Sequence, residues 1–396
     1  MNRVQGGENV NIKKVVQDSK CRSCGYCFSV CPVNAIDMIY VDGFFKPEVN
    51  ASQCIQCGKC VKSCPSEHVF AENGLLGSYM GLFLAYSTNR EIRHNATSGG
   101  VINSLVRFLL KEQIIDGVLM AGYDIRSENE TSSQLITLNE MNILEKKTRN
   151  FSSRYVLTPV LIGLRNIPKE IKKLAVVGTP CQIQALKLGG NADLDIFTIG
   201  VTCSGGMSYK ATEQYKKLQN MPMSKMFYRG DGWPGKNCLI STDGDRLEYV
   251  HNGSLFERMF SSQIFKNPGC RECKDHFAEQ AEISFCDFWN DGERKTESEG
   301  NSCVIIRSER AEEYFNKTLE AGFVEIVRNL NENEVAKTQM HVLKAKKGTL
   351  RDSVRYRIFT RVIDYIFKHN LYERLGIKEY NRFCKFYRML CESQKI

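Results

Sequence analysis

Apolar positions recur along this chain with two periods, two and about 3.6, and the switches between them mark its elements. The first strand signal is the alternation from Ala35 to Tyr40, closed by a turn at Val41, Asp42 and Gly43. Further strands are expected at residues 82–86, 117–123, 174–178, 194–201, 304–306 and 324–327. Helical stretches lie between them. Ser98, Gly99 and Gly100 open a helix over 101–111, with apolar residues at 101, 102, 105, 108 and 109. Thr158 and Pro159 start a helix that ends near Asn166. Pro180 holds the first turn of another, which runs to about Leu188 before Gly189 and Gly190. Helices near 210–218 and 311–320, and a hairpin about Asp243 and Gly244, complete the run. Strands alternating with helices predict an α/β core with a largely parallel sheet. From about Leu350 the pattern turns helical, with Val354, Ile358, Val362, Tyr365 and Ile366 near helical spacing and arginines among them.

The cysteines change this picture most. Cys21, Cys24, Cys27 and Cys31 precede Pro32, and Cys54, Cys57, Cys60 and Cys64 precede Pro65. Each half reads C-x2-C-x2-C-x3-C-P, the run that binds a [4Fe-4S] cluster in bacterial ferredoxins. A tight turn lays three thiolates on one cubane, and the fourth cysteine ligates the other cluster. This assigns Cys21, Cys24, Cys27 and Cys64 to one cluster, and Cys31, Cys54, Cys57 and Cys60 to the second. Zinc favours separate knuckles and disulfides need an oxidising compartment, so neither suits these runs. A small α+β ferredoxin-like domain is therefore expected at 1–72. An α/β domain follows over 82–345 and a basic helical tail over 346–396, with residues 71–81 as a linker.

Composition narrows the setting. The chain has 396 residues, enough for two or three domains. Its first residues lack an apolar signal core, and the most apolar stretch, 74–86, is too short to span a bilayer. Seventeen cysteines without an export signal point to a reducing cytoplasm. Residues 341–396 hold fourteen Lys and Arg against five Asp and Glu, which accounts for the whole net charge of +9. Charge so confined is no nucleic-acid footprint. The tail reads as a solvated basic face, or as a docking surface for an acidic redox protein or a peripheral membrane contact.

Nine cysteines lie outside the two runs. Cys181 opens a helix after one strand, Cys203 follows the next, and Cys270 and Cys273 form a knuckle on a Pro/Gly loop. If those strands are adjacent and parallel, the first two share one end of the sheet, where α/β folds build sites. A third [4Fe-4S] cluster on Cys181, Cys203, Cys270 and Cys273 is one reading; small core cysteines and a bare knuckle are the other. Clusters move single electrons, whereas most organic reductions need pairs, and flavin is the usual converter. No G-x-G-x-x-G follows a strand. Thr97, Ser98, Gly99 and Gly100 form a candidate cradle for a flavin pyrophosphate, or an ordinary helix cap. Arg229, Trp233 and Lys236 lie in a Gly/Pro-rich loop that would face a flavin or simply turn. His94 reads as a surface histidine, and no catalytic residue is named.

Several segments together resemble the coenzyme F420 hydrogenase/dehydrogenase beta-subunit family, which includes 7-hydroxymethyl chlorophyll a reductase-like proteins. They are Thr97 to Gly100, Ser153-Arg154-Tyr155, Gly178 to Gln182, Cys203-Ser204-Gly205, Tyr228 to Gly235, Cys270 to Asp275 and Ile283 to Trp289. The resemblance implies FAD and a cluster in the core, with Thr97, Ser98, Gly99, Gly100 and Arg154 at the flavin. One departure stands out: Cys286 occupies a position where that family usually has glycine. The expected function is an iron-sulfur flavoprotein oxidoreductase. It would take electrons from reduced ferredoxin or another redox protein and reduce a small-molecule organic acceptor. The alternative is an electron-transfer subunit that feeds a partner enzyme, with a link to polysaccharide biosynthesis by analogy alone. In a third reading the clusters are structural.

Overall fold

The computed structural model describes residues 11–70, 74–123, 131–146, 151–190, 193–290, 292 and 297–394. The N-terminal residues 1–10 and the start of the expected linker, 71–73, lie outside the described residues.

The first unit is built from two half-repeats. After α1 (Lys13–Gln17), each cysteine turn feeds a short helix, α2 (Tyr26–Val30) and α3 (Lys59–Lys62). Gly25 and Gly58 stand before those helices at φ +86° and +72°, a region where a side chain is disfavoured. Between the halves, β1 (Ile36–Val41) and β2 (Phe44–Val49) pair antiparallel from Ile36↔Val49 to Val41↔Phe44, about the expected turn. Ile12, Val15, Ile36 and Val49 are buried with Cys27 and Cys60, so the thiols stand in an apolar setting.

The larger unit begins with β3 (Gly81–Ser87), α4 (Arg90–Asn95) and α5 (Val101–Lys111). Next come β4 (Gly117–Tyr123), β5 (Thr131–Thr137), α6 (Asn142–Lys146) and β6 (Lys173–Gly178). They are followed by α7 (Pro180–Gly189), β7 (Asp195–Val201) and α8 (Lys210–Leu218). A small antiparallel sheet of β8 (Lys225–Phe227), β9 (Lys236–Ile240) and β10 (Arg246–Val250) contains the expected hairpin. Then come α9 (Leu255–Ser261), α10 (Pro268–Arg271), β11 (Ile283–Asp287) and β12 (Ser302–Ile306). The helix α11 (Glu309–Glu320) and β13 (Val324–Asn329) close the series. The main sheet has eight strands in the order β13-β3-β12-β11-β7-β6-β4-β5. Its four central strands, β11, β7, β6 and β4, run parallel, and both flanks are antiparallel.

Both faces of the sheet are covered, as a parallel core requires. On one face Leu105, Val106 and Leu109 of α5 and Phe315 of α11 pack on Val118, Phe197 and Val304. On the other, Leu161, Leu164, Ala185 and Leu186 pack on Leu119, Leu174 and Val176. The segment after Pro159 winds as a 3-10 helix, Val160–Asn166. Gly163 brings it so close that a Cβ there would sit 2.6 Å from Leu119 Cδ1. Two helices, α12 (Glu332–Thr338) and α13 (Met340–Lys347), cover Leu82, Leu84, Cys286 and Cys303. The tail forms α14 (Val354–Lys368) and α15 (Ile377–Glu392). Phe359, Ile363, Tyr380 and Leu390 fill a second core with Tyr215, Tyr228, Phe256 and Phe265. Each such apolar side chain contributes about 1.5–3 kcal/mol of burial.

The two units are in close contact. Tyr26 Oη donates to Gly190 O at 2.5 Å, Ser29 Oγ to Leu161 O at 2.6 Å and Ser208 Oγ to Asp42 O at 2.9 Å. A Cβ on Gly269 would lie 2.4 Å from Lys20 O, so the loop before Cys270 runs directly against the chain leading into Cys21.

Candidate functional site

The structure gathers the cysteines into three groups. Cys21, Cys24, Cys27 and Cys64 lie within each other's electrostatic reach. Cys31, Cys54, Cys57 and Cys60 line one small cavity near the surface, where Cys57 is exposed. In the third group, Cys181 feels Cys270 and Cys203, and Cys270 feels both Cys203 and Cys273. Burial, reinforced by these neighbours, pushes Cys24 up to about 12 and Cys270 up to about 11. Such thiols stay protonated until a cation displaces the proton. Among the described residues, no three of His, Cys, Asp and Glu converge as ligands of a single metal ion.

Local sequence explains the third group. Thr179 caps α7 reciprocally with Gln182, whose Oε1 accepts from Thr179 N at 2.9 Å, and Pro180 sets the first turn. Cys181 is thereby held at the helix start, 3.4 Å from Thr179 Oγ1. Cys203 leaves the adjacent parallel strand β7, and Gly205 N donates to its Sγ at 3.3 Å. Asn267 Oδ1 accepts from Gly269 N at 2.8 Å, starting the turn that carries Cys270. The groups form a series. Cys60 is close to Cys27, and Cys24 is close to Cys181. Arg22 sits where the first and third groups meet. Burial opposes its charge, but the thiols of Cys273, Cys181, Cys270 and Cys64 prevail and raise its pKa.

Beyond Cys203 opens a cavity of about 960 Å³ at the ends of the central strands, large for a ligand pocket. Thr97, Ser98 and Gly100 form part of its wall, next to Ser153 and Arg154. A Cβ on Gly99 would lie 2.7 Å from Ser302 N and 2.8 Å from Ala85 O, so only glycine lets this loop rest on the sheet. Both hydroxyls tie loops together: Thr97 Oγ1 accepts from Ser153 N at 2.5 Å, and Ser98 Oγ donates to Asn301 O at 2.6 Å. The donors left over for a ligand are the first-turn amides of α5, which have no intrahelical partner. Arg154 Nη1 donates to Ser152 O at 2.9 Å and its guanidinium lies 4.6 Å from the Tyr123 ring. Its Nε and Nη2 are buried with no hydrogen-bond partner among the described residues. A buried, unsatisfied guanidinium on a cavity wall suits an anion.

Other expectations divide. Arg229 does face the cavity, ion-paired with Asp287 and stacked on Trp289 at 4.8 Å. Trp233 instead packs its ring 5.0 Å from Trp289, and Lys236 pairs with Glu248 at 3.4 Å; neither lines the cavity. His94 is exposed and 3.1 Å from Glu299. Sequence reasoning missed His251, which is buried on the cavity wall with Nε2 2.9 Å from Tyr155 Oη and with no partner for Nδ1 among the described residues. Burial, then Arg229, brings it down to about 3, so it is neutral. A lone histidine without spacing gave no signal. The tail's part in the wall, through Cys384, Tyr387 and Arg388, was equally unmarked.

The chain is similar to known proteins in sequence and in fold. Residues 82–161 and 171–331 match the models for the N-terminal and C-terminal parts of the coenzyme F420 hydrogenase/dehydrogenase beta subunit, and residues 20–68 match the 4Fe-4S dicluster domain. Coenzyme F420 hydrogenase subunit beta of Methanococcus voltae is 26% identical over 261 residues, covering 63% of this chain and 84% of the relative. A component of the F(420)H(2) dehydrogenase of Methanosarcina mazei is 26% identical over 327 residues, covering 77% and 84%. In fold, the chain is similar to one in the F420-reducing [NiFe] hydrogenase complex from Methanosarcina barkeri. The TM-score is 0.53 at 22% identity, with 72% of this chain and 95% of that one covered. The chain thus belongs to the coenzyme F420 hydrogenase/dehydrogenase beta-subunit family, with a 4Fe-4S dicluster domain in front of the family's two regions.

Proposed function

We propose that this chain is an iron-sulfur flavoprotein oxidoreductase of the cytoplasm, accepting single electrons from reduced ferredoxin or a similar redox protein and reducing a small organic acceptor by two electrons. In this reading Cys31, Cys54, Cys57 and Cys60 hold the outer [4Fe-4S] cluster. Cys21, Cys24, Cys27 and Cys64 hold the next, and Cys181, Cys203, Cys270 and Cys273 hold a third. Residues 1–72, 82–345 and 346–396 act as electron entry, flavin-binding domain and tail. The observation that carries the proposal is the unbroken series of thiol groups from exposed Cys57 to Cys203 on the cavity wall.

The residues present fit FAD. Arg154 offers a pyrophosphate two buried nitrogens with no partner among the described residues, and the first-turn amides of α5, on residues that line the same cavity, are further donors. A flavin bound there supplies the exchange between one-electron and two-electron chemistry. Asp287 fixes Arg229 at the wall; burial, then Arg229, keeps His251 neutral beside it, and Tyr155 Oη orients its ring through Nε2.

Purification without oxygen tests this. Roughly twelve irons, four per cubane cluster, and one FAD per chain are expected. Cys270→Ser should lower iron to roughly eight while sparing the dicluster domain. A colourless protein, or a brown one without flavin, would reject the proposal. The second reading, an electron-transfer subunit that feeds a partner enzyme, is favoured by the relatives' names as subunits of hydrogenases and dehydrogenases. Reoxidation of the reduced protein by a small acceptor, with no second protein present, decides against it.

A further inference from the structure

The tail helix α14 is anchored on one side only. Phe359 and Ile363 are buried against the second core, and Asp364 is held by buried Arg271 at 2.6 Å. On the other side Val354, Ile358, Val362 and Tyr365 are 61%, 56%, 46% and 59% exposed. At about 100° per residue these four fall within a single sector of roughly 80°, making a continuous ridge about 16 Å long. Arg355 borders the ridge on one side; Arg357, Arg361 and Lys368 border it on the other. None of these four has an acidic partner among the described residues. Asp364 is the one acid on the helix, and Arg271 neutralises it. The neighbouring α15 extends the surface: Phe386 and Met389 are exposed beside Arg382 and Lys385, and the Phe386 ring stands 5.6 Å from Phe359.

From this arrangement we infer that α14 lies in the surface of a bilayer containing anionic lipids, with its ridge among the acyl chains and its arginines at the phosphates. A ridge, unlike a groove, offers no seat to a peptide; it suits a fluid apolar medium. Cations on both flanks match a headgroup plane of opposite charge, where long basic side chains keep their stems in apolar surroundings. No described helix is long and apolar enough to cross a membrane, and this contact needs none. It stands independently of the redox reading. Because α15 also forms part of the cavity wall, the contact brings that cavity next to the bilayer.

Flotation of the full chain, purified without oxygen, with vesicles tests the inference. One set is phosphatidylcholine alone, and the other is equal parts phosphatidylcholine and phosphatidylglycerol. Binding to the mixed vesicles is expected to be stronger by a factor on the order of ten and to weaken with salt. Ile358→Glu with Val362→Glu should abolish it, as should Arg355→Gln, Arg357→Gln and Arg361→Gln together. Unchanged cluster absorbance and circular dichroism would show that the folds persist. Equal binding to both vesicle types, absence of binding at low salt, or full binding by the glutamate variant would overturn it. So would a dimer that the glutamate variant splits, because the ridge would then be covered by a second copy.

Discussion

Two cavity-wall residues carry most of what can be tested one side chain at a time. Arg154 has two buried nitrogens without partners among the described residues, and leaving them so costs more than a typical hydrogen bond yields. A bound anion would remove that cost. Arg154→Ala is therefore expected to lower flavin retention by at least about tenfold, since a charge-assisted hydrogen bond contributes about 1.5–3 kcal/mol. Retention is read from the absorbance left on the protein after gel filtration. An FAD content equal to wild type would remove Arg154 from the site. His251 makes a prediction about acid. Its folded pKa is depressed to about 3, below the roughly 6.5 of an unfolded histidine. The unfolded chain takes up a proton as pH falls through that upper value and the folded chain does not. Stability is thus complete above about pH 6.5 and lost toward pH 3, by up to about 1.4 kcal/mol per unit. His251→Gln should flatten this slope. Thermal midpoints of both proteins at neutral and mildly acid pH would show it, and parallel slopes would refute it.

The tail can be tested as an element. Phe359 is buried among Phe383, Phe386 and Tyr387, so Phe359→Ala leaves a void under α14 and should cost about 3–5 kcal/mol of its docking. Faster proteolysis within 350–394, with the dicluster region intact, is the expected sign. At this scale the sequence was most legible in α5 and α8, where the helical period runs long, and in β4, an apolar run bounded by glycine and loop residues; the ends of all three match the expected ones. The strand β5 escaped notice because it is a polar edge strand, paired with β4 alone and burying little beyond Thr131 and Ile136. The strand β11 escaped for the opposite reason. Four of its five residues are buried, but buried Ser284 and the closing Asp287 interrupt the apolar residues, leaving neither a run nor a clean period to read. The antiparallel flanks were hidden as well, since β3 pairs with β12 and β13, more than two hundred residues away. The cysteine ladder was legible through spacing. The third group needed adjacent parallel strands to bring Cys181 and Cys203 to one end, and β6 and β7 supply them.

At the scale of the whole molecule, the question is how the first unit communicates with the core, and Arg22 is the group at the junction. Its Nε donates to Gly269 O at 3.2 Å, across the boundary between the units, and its charge faces Cys64 on one side and Cys181, Cys270 and Cys273 on the other. If both thiol groups hold clusters, each reduction adds a negative charge next to this guanidinium. A positive charge favours the more negative state, so Arg22 raises the potentials of both centres relative to a neutral residue. Arg22→Gln should therefore lower them, by about 60 mV if the bias is tenfold for one electron. Iron content should not change, because no cysteine is lost and Gly269 keeps its backbone place against Lys20. A redox titration followed by electron paramagnetic resonance would measure both centres in one sample. The outer cluster, farther from Arg22, serves as the internal reference and should hold its potential. Equal shifts at all three centres would mean that the substitution had loosened the fold; no shift at any would mean that the thiols around Arg22 do not carry electrons.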